Sequence, residues 1–214
     1  MAYRQEEMTV PGGTGDARRD RGIATRAKIL DAALKVFQAE GFAAASMDRI
    51  AACAGISKMT IYRKFADKEA LFLAAINQHC AQIYAVDDHP PAANVEEARA
   101  ALTDFGWVFV RAVCEQHVLD LYRMLLGEMQ RFPQLGADFY DVGPARSIAV
   151  IENILSGVMS ATDARLRAEA FMHMVMGDRH QRFLLEKAGR KNEAENDAAF
   201  AAQIDAAVRM VLGL

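Results

Sequence analysis

Between Ser46 and Lys68 the chain concentrates side chains suited to holding a nucleic acid. Lys58, Thr60, Tyr62, Arg63 and Lys64 supply ammonium, hydroxyl, phenol and guanidinium donors within two helical turns. Donors of these kinds meet phosphate oxygens and base edges. Met59, in their midst, is an apolar side chain that could meet a thymine methyl. Ser46 and Ser57 each precede a short apolar-periodic run and read as helix N-caps. Ser46 and Lys68 also stand at helix N-termini, where free N–H groups and the helix dipole favour a phosphate.

A scaffold must hold these groups, and the flanking pattern provides one. Ile29, Leu30, Ala33, Leu34 and Phe37 recur at three and four, which predicts a first helix from about Ile23 to Glu40, closed by Gly41. A second helix is expected from Met47 to about Ala54, with Ile50 and Ala51 inward. Gly55 breaks the chain and Ile56 turns back. A third helix, Lys58 to Phe65, then buries Ile61 and Phe65. Asp67 caps a fourth, from Lys68 to about Val86, with Leu71, Phe72 and Ala75 inward. Two short helices joined by a tight turn let the second lie in the major groove while the first crosses the backbone. Ala51, Ala54 and Gly55 are small enough for the crossing. Tyr62 reads as a DNA contact, because Ile61 and Phe65 already fill the inward face. Adjacent helical residues point about 100° apart, so one of Arg63 and Lys64 is solvated.

These residues resemble a known family. Ile29-Leu30, Ala32-Ala33, Phe37, Gly41, Ser46-Met47, Ile50-Ala51, the run from Ala54 to Lys58, Thr60 to Arg63, Phe65, and Lys68-Glu69 with Leu71-Phe72 look like the N-terminal domain of TetR-type transcriptional regulators. The likeness covers about residues 23–75. It implies an all-α homodimer in which the positions of Tyr62 and Lys68 contact phosphates. It also implies that Lys58, Met59 and Thr60 face bases, and that Ser46 caps a helix and touches backbone. Two positions depart from the pattern: Ala45 stands where threonine is common, and Met59 where glycine is common.

Charge supports a division of labour. Residues 1–72 hold 12 lysines and arginines against 9 carboxylates, and residues 73–214 hold 13 against 19. A basic front and an acidic remainder suit a nucleic-acid module joined to a body that stays off DNA. With 52% apolar residues, five prolines and no runs of alternating β-branched residues, an all-α fold is expected. The expected organisation is a disordered basic tail over 1–21, a helix-turn-helix domain over 22–72, and a larger helical ligand-binding and dimerisation domain over 73–214. Arg18, Arg19 and Arg21 in the tail read either as solvated or as an arm touching DNA. Cys53, Cys80 and Cys114 are far apart and form no C-x-x-C pair, as expected of reduced thiols in a cytoplasmic protein. No apolar run approaches the roughly 18 residues of a membrane span, and charges occupy the N-terminus where a signal peptide would be apolar.

Pro90 and Pro91 stop the fourth helix, and Asn94 caps the next. Further helices are expected over about 95–116, 118–131, 137–156, 163–188 and 193–212. Breaks should fall near His117, Pro133, Gly143-Pro144 and Gly189, and Asp163 is the expected cap of the penultimate helix. Aromatic and methionine residues at helical spacing are either plain core or the wall of a ligand pocket. Interleaved polar groups at Arg111, His117, Arg123, Glu128 and His173 favour the pocket, because buried polar groups need partners. Its expected lining is Trp107, Phe109, Arg111, Tyr122, Met124, Phe139, Tyr140, Met159, Phe171 and His173. The five histidines show no ligand spacing, so no metal and no cofactor is expected. Leu166, Met174 and Phe183 on one terminal helix and Phe200, Ile204, Val208 and Val211 on the other are expected to close a dimer interface. A two-fold dimer sets its reading helices about 34 Å apart, one turn of DNA. The run 121–135, with Phe139-Tyr140 and the residues Gly143 to Arg146, resembles the AefR-like C-terminal subgroup of TetR regulators.

The expected function is that of a ligand-responsive transcriptional regulator, a repressor released from operator DNA by a small apolar or amphipathic effector. No G-x-S-x-G run, phosphate loop or paired carboxylates mark an enzyme. A constitutive DNA-binding protein without a ligand is the alternative, but its body would be expected to be basic.

Overall fold

The structure is a computed structural model that describes residues 14–84, 89–186 and 193–214. Among these residues ten helices follow one another and no strand occurs. The first four are α1 (Thr14–Ala44), interrupted as expected at Gly41, where φ is 78°, α2 (Met47–Ala54), α3 (Lys58–Tyr62) and α4 (Lys68–Tyr84). The body comprises α5 (Val95–Val113), α6 (Gln116–Glu128), α7 (Pro133–Val142), α8 (Pro144–Leu155), α9 (Ala161–Leu185) and α10 (Glu193–Leu212).

Side-chain caps set several of these boundaries. Ser46 accepts from Arg49 N–H, Asn94 from Glu97 N–H and Asp67 from Ala70 N–H. Gly55 adopts the left-handed conformation (φ 62°) that closes α2. Other boundaries correct the pattern-based expectation. The chain is helical from Thr14, so residues 14–21 are not a disordered tail, and Arg19 and Arg21 are exposed on α1. Extending a packed helix needs no new nucleus, and glycine at 15 and 22 costs only about 1 kcal/mol each. Residues 1–13, Val86 and Gly189 lie outside the described residues, as do the side chains of Arg18, His79 and Cys80. The span 137–156 is not one helix but parts of two, α7 and α8, each opened by a proline in its first turn, with the breaks at Pro133 and Gly143-Pro144 where they were expected. Ser160, not Asp163, caps α9; its hydroxyl accepts Asp163 N–H at 3.2 Å and contacts the Asp163 carboxylate at 2.7 Å.

Two apolar cores result. Phe37, Phe42 and Phe72 form the centre of the first, with ring centroids 5.1–5.6 Å apart. Leu121, Leu125 and Leu135, from α6 and α7, complete it. The helix-turn-helix thus shares its core with the body. Phe105, Ile151, Phe171 and Phe200 lie in the second, between α5, α8, α9 and α10. Phe200, Ile204, Val208 and Val211, expected at a dimer interface, are buried in this core instead. The apolar stripe of α10 is consumed by α5 within the same chain, where Ile204 packs on Gly106. Met174 and Phe183 are half-buried against the same core, and only Leu166 of the expected set is exposed.

One break in α9 has an identifiable lock. At Gly177 the backbone turns to φ 51°, ψ −166°, and the helix is interrupted. The Gln203 amide on α10 donates to the freed carbonyls of Met174 and Val175 at 2.6 and 2.9 Å. A Cβ on Gly177 would overlap that amide. Gln203→Ala should strand two carbonyls at about 1–3 kcal/mol, and Gly177→Ala should add backbone strain to a steric clash. Calorimetry at fixed protein concentration should show both melting lower, by about 2 °C or more, at the roughly 2–4 °C per kcal/mol of a chain this size. An unchanged melting temperature for Gln203→Ala would mean the lock is immaterial.

Candidate functional site

Helix α3 is one turn and a half long, held at its start by Ser57. Ser57 Oγ accepts Thr60 N–H at 3.3 Å and lies 2.9 Å from Thr60 Oγ1. Ile61 on the opposite side is fully buried and Phe65 nearly so. Lys58, Met59, Tyr62 and Arg63 are exposed and Thr60 half so; Met59 reaches 81% exposure and Tyr62 47%. An apolar side chain this exposed, beside a tyrosine and two cations, forms a face ready for a partner. Ser46 is exposed at the start of α2 on the neighbouring helix.

Three cations are less free than the sequence suggested. Lys58 Nζ sits 2.7 Å from Asp48 Oδ1, on α2, and 5.9 Å from the Tyr62 ring centroid. Its hydrogen bond to Asp48 raises the ammonium above its ordinary pKa. Lys64 Nζ donates to the Gly22 carbonyl at 3.3 Å, tying the turn after α3 to α1. Lys64 is therefore the engaged member of the Arg63–Lys64 pair, and Arg63 the exposed one. Lys68 Nζ donates to the carbonyls of Phe42 (2.7 Å), Ala43 (3.2 Å) and Ala45 (3.2 Å). An ammonium has three donors, so the expected phosphate clamp is already saturated. It fastens the joint between α1 and α2 instead.

The body holds a cavity of about 130 Å³ between α4, α5, α6, α7, α8 and α9. An engineered apolar cavity of about 150 Å³ stays dry and binds benzene, so the space suits a small organic molecule. Phe109, Tyr122 and Phe139, expected in the lining, are there. The other expected residues are not. Phe171 is core, and Met159 packs on that core. Met124 packs on the first core. Trp107 lies under Arg111 at 5.0 Å, and Arg111 points to Asp197. Tyr140 and His173 are exposed. The physical reason is rotation: helical spacing assigns these residues to stripes, but which stripe meets which neighbour follows from helix crossing. Ser147, Met172, Met176 and His180 line the cavity and were not expected. His180 is half-buried 6.3 Å from the Tyr122 ring, and burial pushes its imidazole below the ordinary histidine pKa.

Asp48 is the functional neighbour that sequence reading missed. It stands ten positions before Lys58, and only the crossing of α2 and α3 brings the two together.

This fold and its exposed α3 face define a helix-turn-helix DNA-binding protein. Residues 29–75 match the model of bacterial regulatory proteins of the tetR family, and residues 100–214 match the AefR-like transcriptional repressor C-terminal domain. The chain belongs to the TetR family of transcriptional regulators. It is 38% identical over 78 residues to the HTH-type transcriptional activator FasR of Mycolicibacterium smegmatis, covering 36% of each chain. The match thus spans about a third of that relative's length. A TetR-family structure from Mesorhizobium loti MAFF303099 aligns over 94% of this chain and 98% of its own, with a TM-score of 0.68 and 24% identity. The flavonoid-responsive regulator FrrA aligns over 89% and 96%, with a TM-score of 0.66 and 27% identity.

Asp48 lowers the value of Lys58 as a phosphate contact, since a phosphate near Lys58 is repelled by the carboxylate. Asp48→Ala should steepen the slope of log binding constant against log salt by about 0.9 on random duplex DNA, one more phosphate neutralised. Fluorescence anisotropy across a salt series measures this. A slope equal to that of the unaltered protein would show that Lys58 is not held back by its partner.

Proposed function

We propose that this regulator is a homodimeric repressor that leaves its operator when a small apolar or amphipathic molecule enters the cavity. One connection carries the reading. Leu121 and Tyr122 of α6 line the cavity. At the end of the same helix Glu128 accepts Ala43 N–H at 3.2 Å, and just beyond it Phe132 stands edge-on to Phe42 at 5.0 Å. Ile76 of α4 also lines the cavity, and α4 begins at Lys68, which holds the same joint. A ligand would therefore touch both helices that fix the joint from which α2 and α3 depart. A ligand that binds a displaced α6 better than the present one shifts the population toward it. A hundredfold loss of operator affinity needs about 2.7 kcal/mol of such preference.

The name of FrrA supports a small-molecule response, and the repressor model over residues 100–214 supports release rather than recruitment. Activation is the second reading, favoured by the likeness to FasR. We assign DNA reading to Ser46, Ser57 to Thr60, Tyr62 and Arg63 within the helix-turn-helix domain (22–72), with Lys64 and Lys68 in support. Ligand binding and dimerisation fall to 73–214. For the dimer, Leu166 on α9 and Met210 on α10 are 66% and 71% exposed. The two helices are held side by side by Gln203 and by Arg167, which donates to the Val211 carbonyl. Their outward faces suit a second copy. No helix among the described residues is long and apolar enough to cross a membrane, which is compatible with action in the cytoplasm.

The purified protein should retard the DNA upstream of its own gene at moderate salt, and Tyr62→Ala should abolish the shift while leaving the melting temperature within about 2 °C. Glu128→Ala should weaken the shift about tenfold, equal to about 1.4 kcal/mol, and Glu128→Gln, which keeps an acceptor, should restore most of it. No sequence-specific retardation by the unaltered protein would end the regulator reading. Light scattering should report a dimer, and a Leu166→Glu, Met210→Glu double variant should run as a monomer; a dimer in that variant places the interface elsewhere.

A further inference from the structure

Taking the cavity as the effector site, we infer that its ligand is a neutral, flat aromatic molecule bearing one hydroxyl or carbonyl group, and that carboxylates are disfavoured. The walls carry the first part. Tyr122 and Phe139 are stacked, with centroids 5.6 Å apart and ring planes 27° from parallel, and Phe109 adds a third ring. Offset ring faces at this spacing are the favoured aromatic arrangement, so a flat ring system extends the stack. Met172 and Met176 on α9 present polarizable thioethers, which suit the edges of a ring.

Charge carries the second part. No lysine, arginine, aspartate or glutamate is among the described lining residues. The polar groups there are the Tyr122 phenol, the Ser147 hydroxyl and the His180 imidazole. Ser147 is 1% exposed, and its hydroxyl donates to the Gly143 carbonyl at a long 3.3 Å. A hydroxyl so placed keeps lone pairs for a ligand O–H. Burial disfavours the charged form of His180, which leaves an imidazole with one donor and one acceptor. Three neutral groups can match a hydroxyl or a carbonyl. They cannot offset the desolvation of an anion, which requires a cation or several directed donors.

Calorimetric titration of the full chain near neutral pH with naphthol, naphthalene and naphthoate tests the class with one ring system and three substituents. Naphthol should bind at least about tenfold more tightly than naphthoate and several-fold more tightly than naphthalene. Ser147→Ala and His180→Phe should each weaken naphthol several-fold and leave naphthalene unchanged. If His180→Phe fails to fold, Tyr122→Phe takes its place. Naphthoate binding as well as naphthol, or no naphthol binding at millimolar concentration, overturns the inference. Retardation of the upstream DNA is followed in parallel. Protein that binds DNA but not naphthol loses only the ligand class, whereas protein that binds naphthol but not DNA loses the regulator reading and keeps the class.

Discussion

The carbonyls of Phe42, Ala43 and Ala45 converge on one ammonium, that of Lys68, and the rest of the reading head depends on that convergence. The end of a helix leaves carbonyls without partners. Here they are satisfied by a side chain from α4, while the Ala43 N–H is satisfied by Glu128 from α6. The ammonium also lies 4.6 Å from the Phe42 ring. Met47, the first residue of α2, follows within two positions of Ala45. The start of α2, and through the Gly55 turn that of α3, is therefore tied down by two polar side chains from two different helices, on top of the packing of Ile50 and Ala51 in the first core. A half-buried lysine with all three donors used is stable as long as the three carbonyls stay together. Any displacement of α4 or α6 must break or move that set.

The body is organised around departures from regular helix. Gly143 and Pro144 divide α7 from α8, and Gly177 interrupts α9. Both interruptions border the cavity: Gly143, Pro144 and Ser147 lie on one wall, and Met172, Met176 and His180 on another. Straight helices packed at protein density leave few voids larger than a water molecule. A broken helix changes direction and leaves a space, provided its freed backbone groups find partners. At Gly177 that partner is Gln203. At the far end of α9, Arg123 donates to the carbonyls of Phe183, Leu184 and Glu186, and so ties α6 to the last turn of α9. The helix that reaches the α1–α2 joint through Glu128 is thus anchored to the cavity's opposite wall.

The exposed face of α2 and α3 is electrically moderated. Lys58 is paired with Asp48, and Arg49 with Glu40 at 2.8 Å. Exposed pairs of this kind add little stability. Their effect is on recognition: they lower the sequence-independent attraction to phosphate. That leaves Met59, Thr60 and Tyr62 as a larger share of what the face offers.

Local rules account for what the sequence alone determined. Caps at Ser46, Ser57, Asp67 and Asn94, the glycine turn at Gly55 and the inward set Ile50, Ile61, Phe65, Leu71 and Phe72 were all legible, because each depends on neighbours within a turn or two. The α3 face was legible for the same reason. Tertiary structure alone decided how helices meet. Periodicity says that Phe200, Ile204, Val208 and Val211 form a stripe, but not whether α5 or a second copy covers it. It says that Lys68 starts a helix, but not that three carbonyls from α1 and the turn after it wait there. It places Asp48 on α2 without showing Lys58 beside it. Ser147 and His180 gave no local sign of a cavity, because a cavity belongs to the crossing angles of six helices and to the breaks at Gly143 and Gly177, not to any one stretch of chain.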